Sequence, residues 1–253
     1  MIWFKRRYLV MLVALIAFIW YSMHLTDFQF QKFYQFINTL YFINERFFPL
    51  NWDILPKMIE ESLVTLAMAF LGTFFALLIA LPISFMAAYN TSRHPIFYST
   101  TRSSLSVLRS IPEIVFGLVF VVAVGLGPFP AVIAIMLHNI GVLGKLISEL
   151  IESSDHGPQE AMKAVGATRW VAVLFSILPQ IWPNVLSHYF YRFEVAIRTS
   201  LILGFIGAGG IGQQLFNYFN TMQYKSVGIA ILMISILVIL VDFIGGKVRQ
   251  RVI

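Results

Sequence analysis

The 253-residue chain is 58% hydrophobic and only 12% charged, with a formal net charge of +6 and no cysteine; its mean hydropathy is +0.79. A soluble domain carries about 25% charged residues, so the composition excludes an ordinary soluble enzyme and points to a polytopic, all-α membrane protein. The missing cysteines exclude disulfides, thiolate catalysis and cysteine metal sites, and the excess of positive charge gathers at span ends, as membrane topology requires, and not on a nucleic-acid-binding face.

The chain opens with Lys5, Arg6 and Arg7 before the apolar run Tyr8 to Trp20. No small-residue cleavage site follows, so the run is expected to be an uncleaved first span with its N-terminus in the cytoplasm. From Thr26 to Pro56 aromatic residues alternate with Gln, Asn and charge. Such a segment is too polar to span and is expected to lie along the outer interface. Residues 1–56 are therefore read as an N-terminal region, and 57–253 as the transmembrane core.

The second span is expected from about Lys57 to Tyr89, with Gly72, Ala76 and Ala80 as a small-residue stripe for close helix packing. Asn90 to Ser104, with Arg93, His94 and Arg102, reads as a cytoplasmic loop, which leaves the Asn90-Thr91-Ser92 sequon without meaning. A third span from Leu105 to Leu126 ends in the uncharged turn Gly127-Pro128-Phe129-Pro130, and a fourth runs from Ala131 to Ile151. The fifth starts near Ile181-Trp182-Pro183 and continues to about Ile206; the last covers Lys225 to Gly246. Roughly 20 apolar residues cross a ~30 Å hydrocarbon core, so about six helices fit. This arrangement puts Arg93, Arg102, Lys163, Arg169, Lys247, Arg249 and Arg251 on the side of Lys5, with both termini cytoplasmic. Only Lys32, Arg46, Lys57 and Lys225 fall outside.

Between the fourth and fifth spans, Gln159 to Pro179 cannot lie in the membrane. It follows Gly157-Pro158, carries Glu160, Lys163 and Arg169, breaks at Gly166 and is expected to stop at Pro179. A polar helix, a glycine elbow and a second helix between spans suggest a docking surface for a soluble partner, within a loop of residues 152–180.

Ionisable residues within spans are costly and by default functional. Arg109 and Glu113 stand four apart around Pro112, as do Lys145 with Glu149 and Glu194 with Arg198; His138 lies near the middle of the fourth span. Such pairs neutralise each other or snorkel to the interface; Arg109, Glu113, His138, Glu194 and Arg198 are the candidates for a path or gate. No H-E-x-x-H or G-x-S-x-G motif occurs, and no metal site is expected. Gly207 to Gly212 matches G-x-G-x-x-G literally, but it follows a membrane helix, and the next acid is Asp242. It is expected to be a tight non-helical turn or a close backbone contact. No phosphate-binding G-x-x-x-x-G-K-[ST] loop exists, so ATP, if used, is bound by another chain.

The segment from Glu160 onward resembles the E-A-A-x3-G-x9-I-x-L-P signature of binding-protein-dependent ABC importer permeases. Glu160, Ala161, Gly166, Leu178 and Pro179 are in register, with Met162 and Ser176 departing from the usual Ala and Ile. The strings Val119–Phe129, Gly141–Glu149, Ile177–Pro183 and Tyr191–Gly212 are similar to phosphonate-importer permeases, and related phosphite and phosphate-ester importers share much of the same text. The resemblance implies a type I permease fold in a bacterial inner membrane, working as a homodimer. Glu160, Ala161, Gly166, Leu178 and Pro179 would belong to a coupling helix and loop that receive two copies of an ATPase carrying ATP and Mg. A periplasmic or lipid-anchored binding protein would deliver phosphonate. This chain would bind no cofactor, no nucleic acid and no metal. An ion-coupled secondary transporter using Glu113, His138 and Glu194 is the competing class; it calls for inverted repeats, and no convincing repeat is visible.

Overall fold

A computed structural model describes residues 6–252; Lys5, on which the expected N-terminal orientation partly rests, lies outside them. The described residues contain ten α-helices and no strand. Two compact units divide between Phe48 and Pro49. The first holds α1 (Arg6–Leu25), a 3-10 turn (Phe30–Tyr34) and α2 (Gln35–Phe47). None of the apolar residues of α2 is buried within it.

The second unit is built from α3 (Leu55–Met86), α4 (Pro95–Ser110), α5 (Glu113–Val124), α6 (Pro128–Glu152), α7 (Gly157–Ala164), α8 (Arg169–Gly204), α9 (Gly210–Asn220) and α10 (Tyr224–Val252). Among the described residues five helices are long and apolar enough to cross a membrane, or six if the bent pair α4–α5 counts as one span. The centre of the unit is α3 against α6. Gly72, Ala76 and Ala80 are buried on α3, and a Cβ at Gly72 would stand 2.6 Å from Ile135 of α6. The small-residue stripe is therefore the groove that admits α6. Around it lie three apolar clusters strung along the bundle. One joins Ala76, Ala80, Leu143, Ile147 and Ile177; the next Met68, Ala69, Ala134, Ile135, Ile197 and Leu203; the third Met58, Ile211 and Ile229.

Three expectations are corrected. The third span is not one helix from Leu105 to Leu126: α4 and α5 meet at an angle of 83°. Pro112 has no N–H to continue the ladder and forces its predecessor into extended backbone; Ile111 accordingly has φ −84°, ψ 122°. The loop expected over Asn90 to Ser104 is helical from Pro95, because Pro fits the first helical turn and the His94 side chain accepts a hydrogen bond from the N–H of Ile96. The helix that precedes the fifth span does not stop at Pro179 and is not separate from it. Instead α8 runs unbroken for 36 residues through Pro179 and Pro183, about 54 Å at 1.5 Å per residue. Prolines are tolerated in membrane helices where neighbouring groups satisfy the freed backbone.

The crossing of α4 on α6 is tight enough to test. A Cβ at Gly141 would stand 2.6 Å from the backbone nitrogen of Arg109 and 2.9 Å from the carbonyl of Leu105, and backbone atoms cannot rotate aside. Gly141→Val is expected to cost about 1–3 kcal/mol, as overpacking does, read as a lowered unfolding temperature of the detergent-solubilised protein. An unchanged temperature would contradict this packing.

Candidate functional site: a buried ion network and a polar docking helix

The break at Ile111-Pro112 leaves carbonyls of α4 without intrahelical donors, and side chains of other helices converge on it. His138 of α6 bonds the Ile111 carbonyl through Nδ1 at 3.0 Å. Because a carbonyl only accepts, Nδ1 carries the proton. Its Nε2 lies 3.7 Å from Oε1 of Glu113, the first residue of α5, where the helix dipole favours an acid. Arg192 of α8 donates from Nη2 to the same Oε1 at 3.0 Å and from Nε to Oδ1 of Asn139 at 2.6 Å. Since Nε can only donate, it fixes which way the Asn139 amide points. Glu113, Asn139 and Arg192 are 8%, 0% and 9% exposed, so the network bolts α5, α6 and α8 together inside the bundle.

The structure regroups the expected pairs. Arg109 and Glu113 do not face each other, because the 83° bend separates them; Arg109 is exposed at the end of α4. Glu194 and Arg198 part as well. Glu194 is buried against α10, where a Cβ at Gly245 would collide with its carboxylate. Arg198 grips both carboxylate oxygens of Asp242 on α10, at 2.9 and 2.8 Å. Lys145 and Glu149 do approach, at 4.0 Å, and Glu149 is shared with Arg102. From the sequence, Arg192 counts among the charges of the fifth span without being a path or gate candidate, and Asn139 and Asp242 are left out as site residues. A lone acid in the last apolar run was the available signal for Asp242; nothing in the spacing announces a contact between Arg192 and Glu113, 79 positions apart.

The Arg198–Asp242 pair lies within two spans, yet its side chains are 53% and 42% exposed. A charge facing hydrocarbon costs at least about 2.5–3.5 kcal/mol near the bilayer centre. This face of α8 and α10 is thus a candidate to meet water or another protein surface.

The second feature is α7. Asp155 accepts a hydrogen bond from the N–H of Gly157 at 3.0 Å at its start. At its end the N–H of Gly166 bonds the carbonyl of Lys163 and the N–H of Ala167 that of Met162, both at 3.0 Å. This is the Schellman closure, which demands a left-handed residue, and Gly166 has φ +82°. The glycine of the sequence signature is thus a helix stop with a defined geometry. Glu160, Ala161 and Lys163 are exposed and Val165 is 80% exposed. Leu178 and Pro179 fall inside α8, Leu178 half-buried and Pro179 exposed. Gln180 ties the base of this element to α8, accepting from the N–H of Asp155 at 3.0 Å and donating to the Ser176 carbonyl at 2.7 Å.

The glycine patch closes α8 by the same Schellman pattern, with Gly207 bonded to Gly204 and Ala208 to Leu203. Gly207, Gly209 and Gly210 all have positive φ and turn the chain into α9. Thr65 of α3 accepts from the N–H of Ile211 at 3.0 Å. Among the described residues no group of three or more His, Asp or Glu is placed to hold a metal ion.

Residues 80–253 match the family described as binding-protein-dependent transport system inner membrane component. The chain is 42% identical over 203 residues to the phosphite transport system permease protein PtxC of Stutzerimonas stutzeri, covering 80% of this chain and 74% of that one. It is 34% identical to the phosphate-import permease protein PhnE of Mycolicibacterium smegmatis, covering 82% of this chain and 39% of the relative. Among solved structures, the MetNI methionine ABC transporter in an inward-facing conformation aligns with TM-score 0.69 and 22% identity, over 81% of this chain and 100% of that one. The fold is that of type I ABC importer permeases.

The ion network makes a prediction that concerns stability alone. Arg192→Leu strands a buried carboxylate and is expected to cost about 3–5 kcal/mol. Adding Glu113→Leu removes the stranded charge and should recover most of that loss in the unfolding temperature. A double variant no more stable than the single one would contradict the pairing.

Proposed function

The chain belongs to the binding-protein-dependent transport system inner membrane components, the permease subunits of ABC importers, and on that premise we propose that it moves a small phosphorus oxyanion, driven by an ATPase that docks on α7. The chain is a transport subunit and not an enzyme, and its importer includes an ATPase and a substrate-binding protein.

The observation that carries this reading is α7 itself. A polar helix of eight residues, capped at both ends by its own chain and exposing Glu160 and Lys163, with Val165 exposed at its C-cap, stands between the ends of two long apolar helices. It buries too little to be maintained as a packing element, whereas a partner pushing on it would move α6 and α8 directly. In this reading residues 152–180 are the coupling loop, with Glu160 and Ala161 on the contact face, Gly166 the elbow, and Leu178 and Pro179 the link into α8. Residues 57–253 form the permease core and residues 1–56 add a span and an outer segment.

Two copies of the permease would then pair around the path and receive two ATPase subunits that carry ATP and Mg; the cations near the two ends of the chain, Arg7 and Lys247 among them, favour the ATPase side for both termini. The half-exposed Arg198–Asp242 pair supports placing this face of α8 and α10 on the water-filled path or the partner copy. Arg109, exposed at the end of α4, joins it as a path candidate. Glu113 and His138 act instead as the bracket of the broken span against which a gate turns, and Glu194 braces α8 on α10. Paired charges suit a path that must release its cargo, because an isolated cation would hold an oxyanion too tightly. Phosphite and phosphate are the cargoes in the names of the two relatives, and the phosphonate-importer resemblance of Tyr191 to Gly212 supports the same chemical class. A binding protein outside the membrane would select among phosphonate, phosphite and phosphate.

Two measurements test this. Glu160→Lys places a cation where the docking face presents an acid, and charge mismatch at an interface costs several kcal/mol; ATP-dependent uptake in proteoliposomes should fall about tenfold or more with the subunit still inserted. Undiminished uptake would overturn the docking assignment. Calorimetry of the cognate binding protein against methylphosphonate, phosphite and phosphate should show binding of at least one, and binding of none would overturn the cargo class.

A further inference from the structure

Between α3 and α4, residues 87–94 form a loop that the assignment of α7 leaves unexplained. Its backbone is held from two directions. From the end of α6, Glu152 Oε1 accepts from the N–H of Tyr89 at 3.1 Å, and the Ile151 carbonyl accepts from Asn90 Nδ2 at 2.8 Å. From the start of α8, Arg169 Nη2 donates to the carbonyls of Thr91 and Ser92, both at 2.9 Å. Residues 89 and 90 are thus fastened to the helix entering the α7 segment, and residues 91 and 92 to the helix leaving it. The loop is also tied to its own helices. Thr91 Oγ1 donates to the Phe85 carbonyl of α3 at 2.6 Å, and Arg102 of α4 reaches Glu152 at 2.6 Å and the Ala87 carbonyl at 3.4 Å.

Arg169 is in an unexpected place for a cation. It is the first residue of α8, where the helix dipole disfavours positive charge by about 0.3–1 kcal/mol. The two carbonyls give the reason: loop carbonyls need donors, and one nitrogen of a planar guanidinium has two hydrogens to share between adjacent acceptors.

We propose that residues 87–94 are a transmission strap across the base of α7, and that Arg169 is the positioning residue that fastens it, so that displacement of α7 moves α3 and α4 together with α6 and α8. The consequence is mechanical. The α4–α5 break at Ile111-Pro112 is already held to α6 and α8 through His138 and Arg192, and the strap adds a second route from α7, through Arg102 to α4. This rests on the reading of α7 as the ATPase contact.

The test uses the whole importer in proteoliposomes, with its ATPase and its binding protein loaded with whichever of phosphite, methylphosphonate or phosphate that protein retains. Substrate moved per ATP hydrolysed is the readout. Arg169→Ala is expected to keep the ATPase bound and hydrolysing while transport per ATP falls about tenfold, within the range of coupling between sites. Arg169→Lys should restore part of it, because an ammonium group can still donate to both carbonyls without the fixed fork. Glu152→Ala releases the opposite anchor and should give the same loss, which keeps the test usable if Arg169→Ala does not fold. Transport per ATP at the unaltered level in either alanine variant overturns the strap. So does a parallel fall of hydrolysis and uptake, since that marks a folding staple. Failure of the α7 reading is visible separately, as an ATPase that still binds and couples in Glu160→Lys.

Discussion

Within hydrocarbon no water is available to complete a broken hydrogen-bond ladder, and the structure depends on how that demand is met at the junction of α4 and α5. Pro112 breaks the ladder, His138 takes up the Ile111 carbonyl, and Arg192 neutralises the Glu113 that begins the next helix. Each of these groups comes from a different helix, so meeting a local backbone need also sets the positions of α5, α6 and α8. Such a junction is more precise than apolar packing alone, because a buried carboxylate tolerates little separation from its partner. It also gives the bundle a fixed corner around which the longer helices can be displaced.

Two glycine closures perform different tasks with one geometry. At Gly166 the Schellman stop ends a short exposed helix and lets α8 depart from it; at Gly207 the same stop ends α8 and, with Gly209 and Gly210, turns the chain inside a packed setting against Thr65. The literal nucleotide-fingerprint match in that second patch is thus explained by backbone conformation, and on the proposed reading the work of ATP enters through the first.

Much of this was legible in the sequence because membrane helices advertise themselves by composition, and because a polar segment between apolar runs has one sensible location. The helix, glycine and helix around Gly166 followed from local residues alone, as did the packing stripe at Gly72, Ala76 and Ala80. What was not legible depends on three-dimensional partners. Spacing at i, i+4 suggested Arg109 with Glu113 and Glu194 with Arg198, but that rule assumes a continuous helix in the first case and no better distant partner in the second. Pro112 voids the first assumption and Asp242 the second. Pro179 misled in the opposite sense: in water it would end a helix, whereas α8 continues through both Pro179 and Pro183.

The account stands on α7 as the surface that an ATPase engages. The chain has no native cysteine, so a single introduced thiol reports without background. In membranes holding the assembled importer, Val165→Cys at the C-terminal end of α7 should cross-link to the ATPase subunit, whereas Phe219→Cys on α9 should not. Cross-linking at α9 with none at α7 would contradict the account.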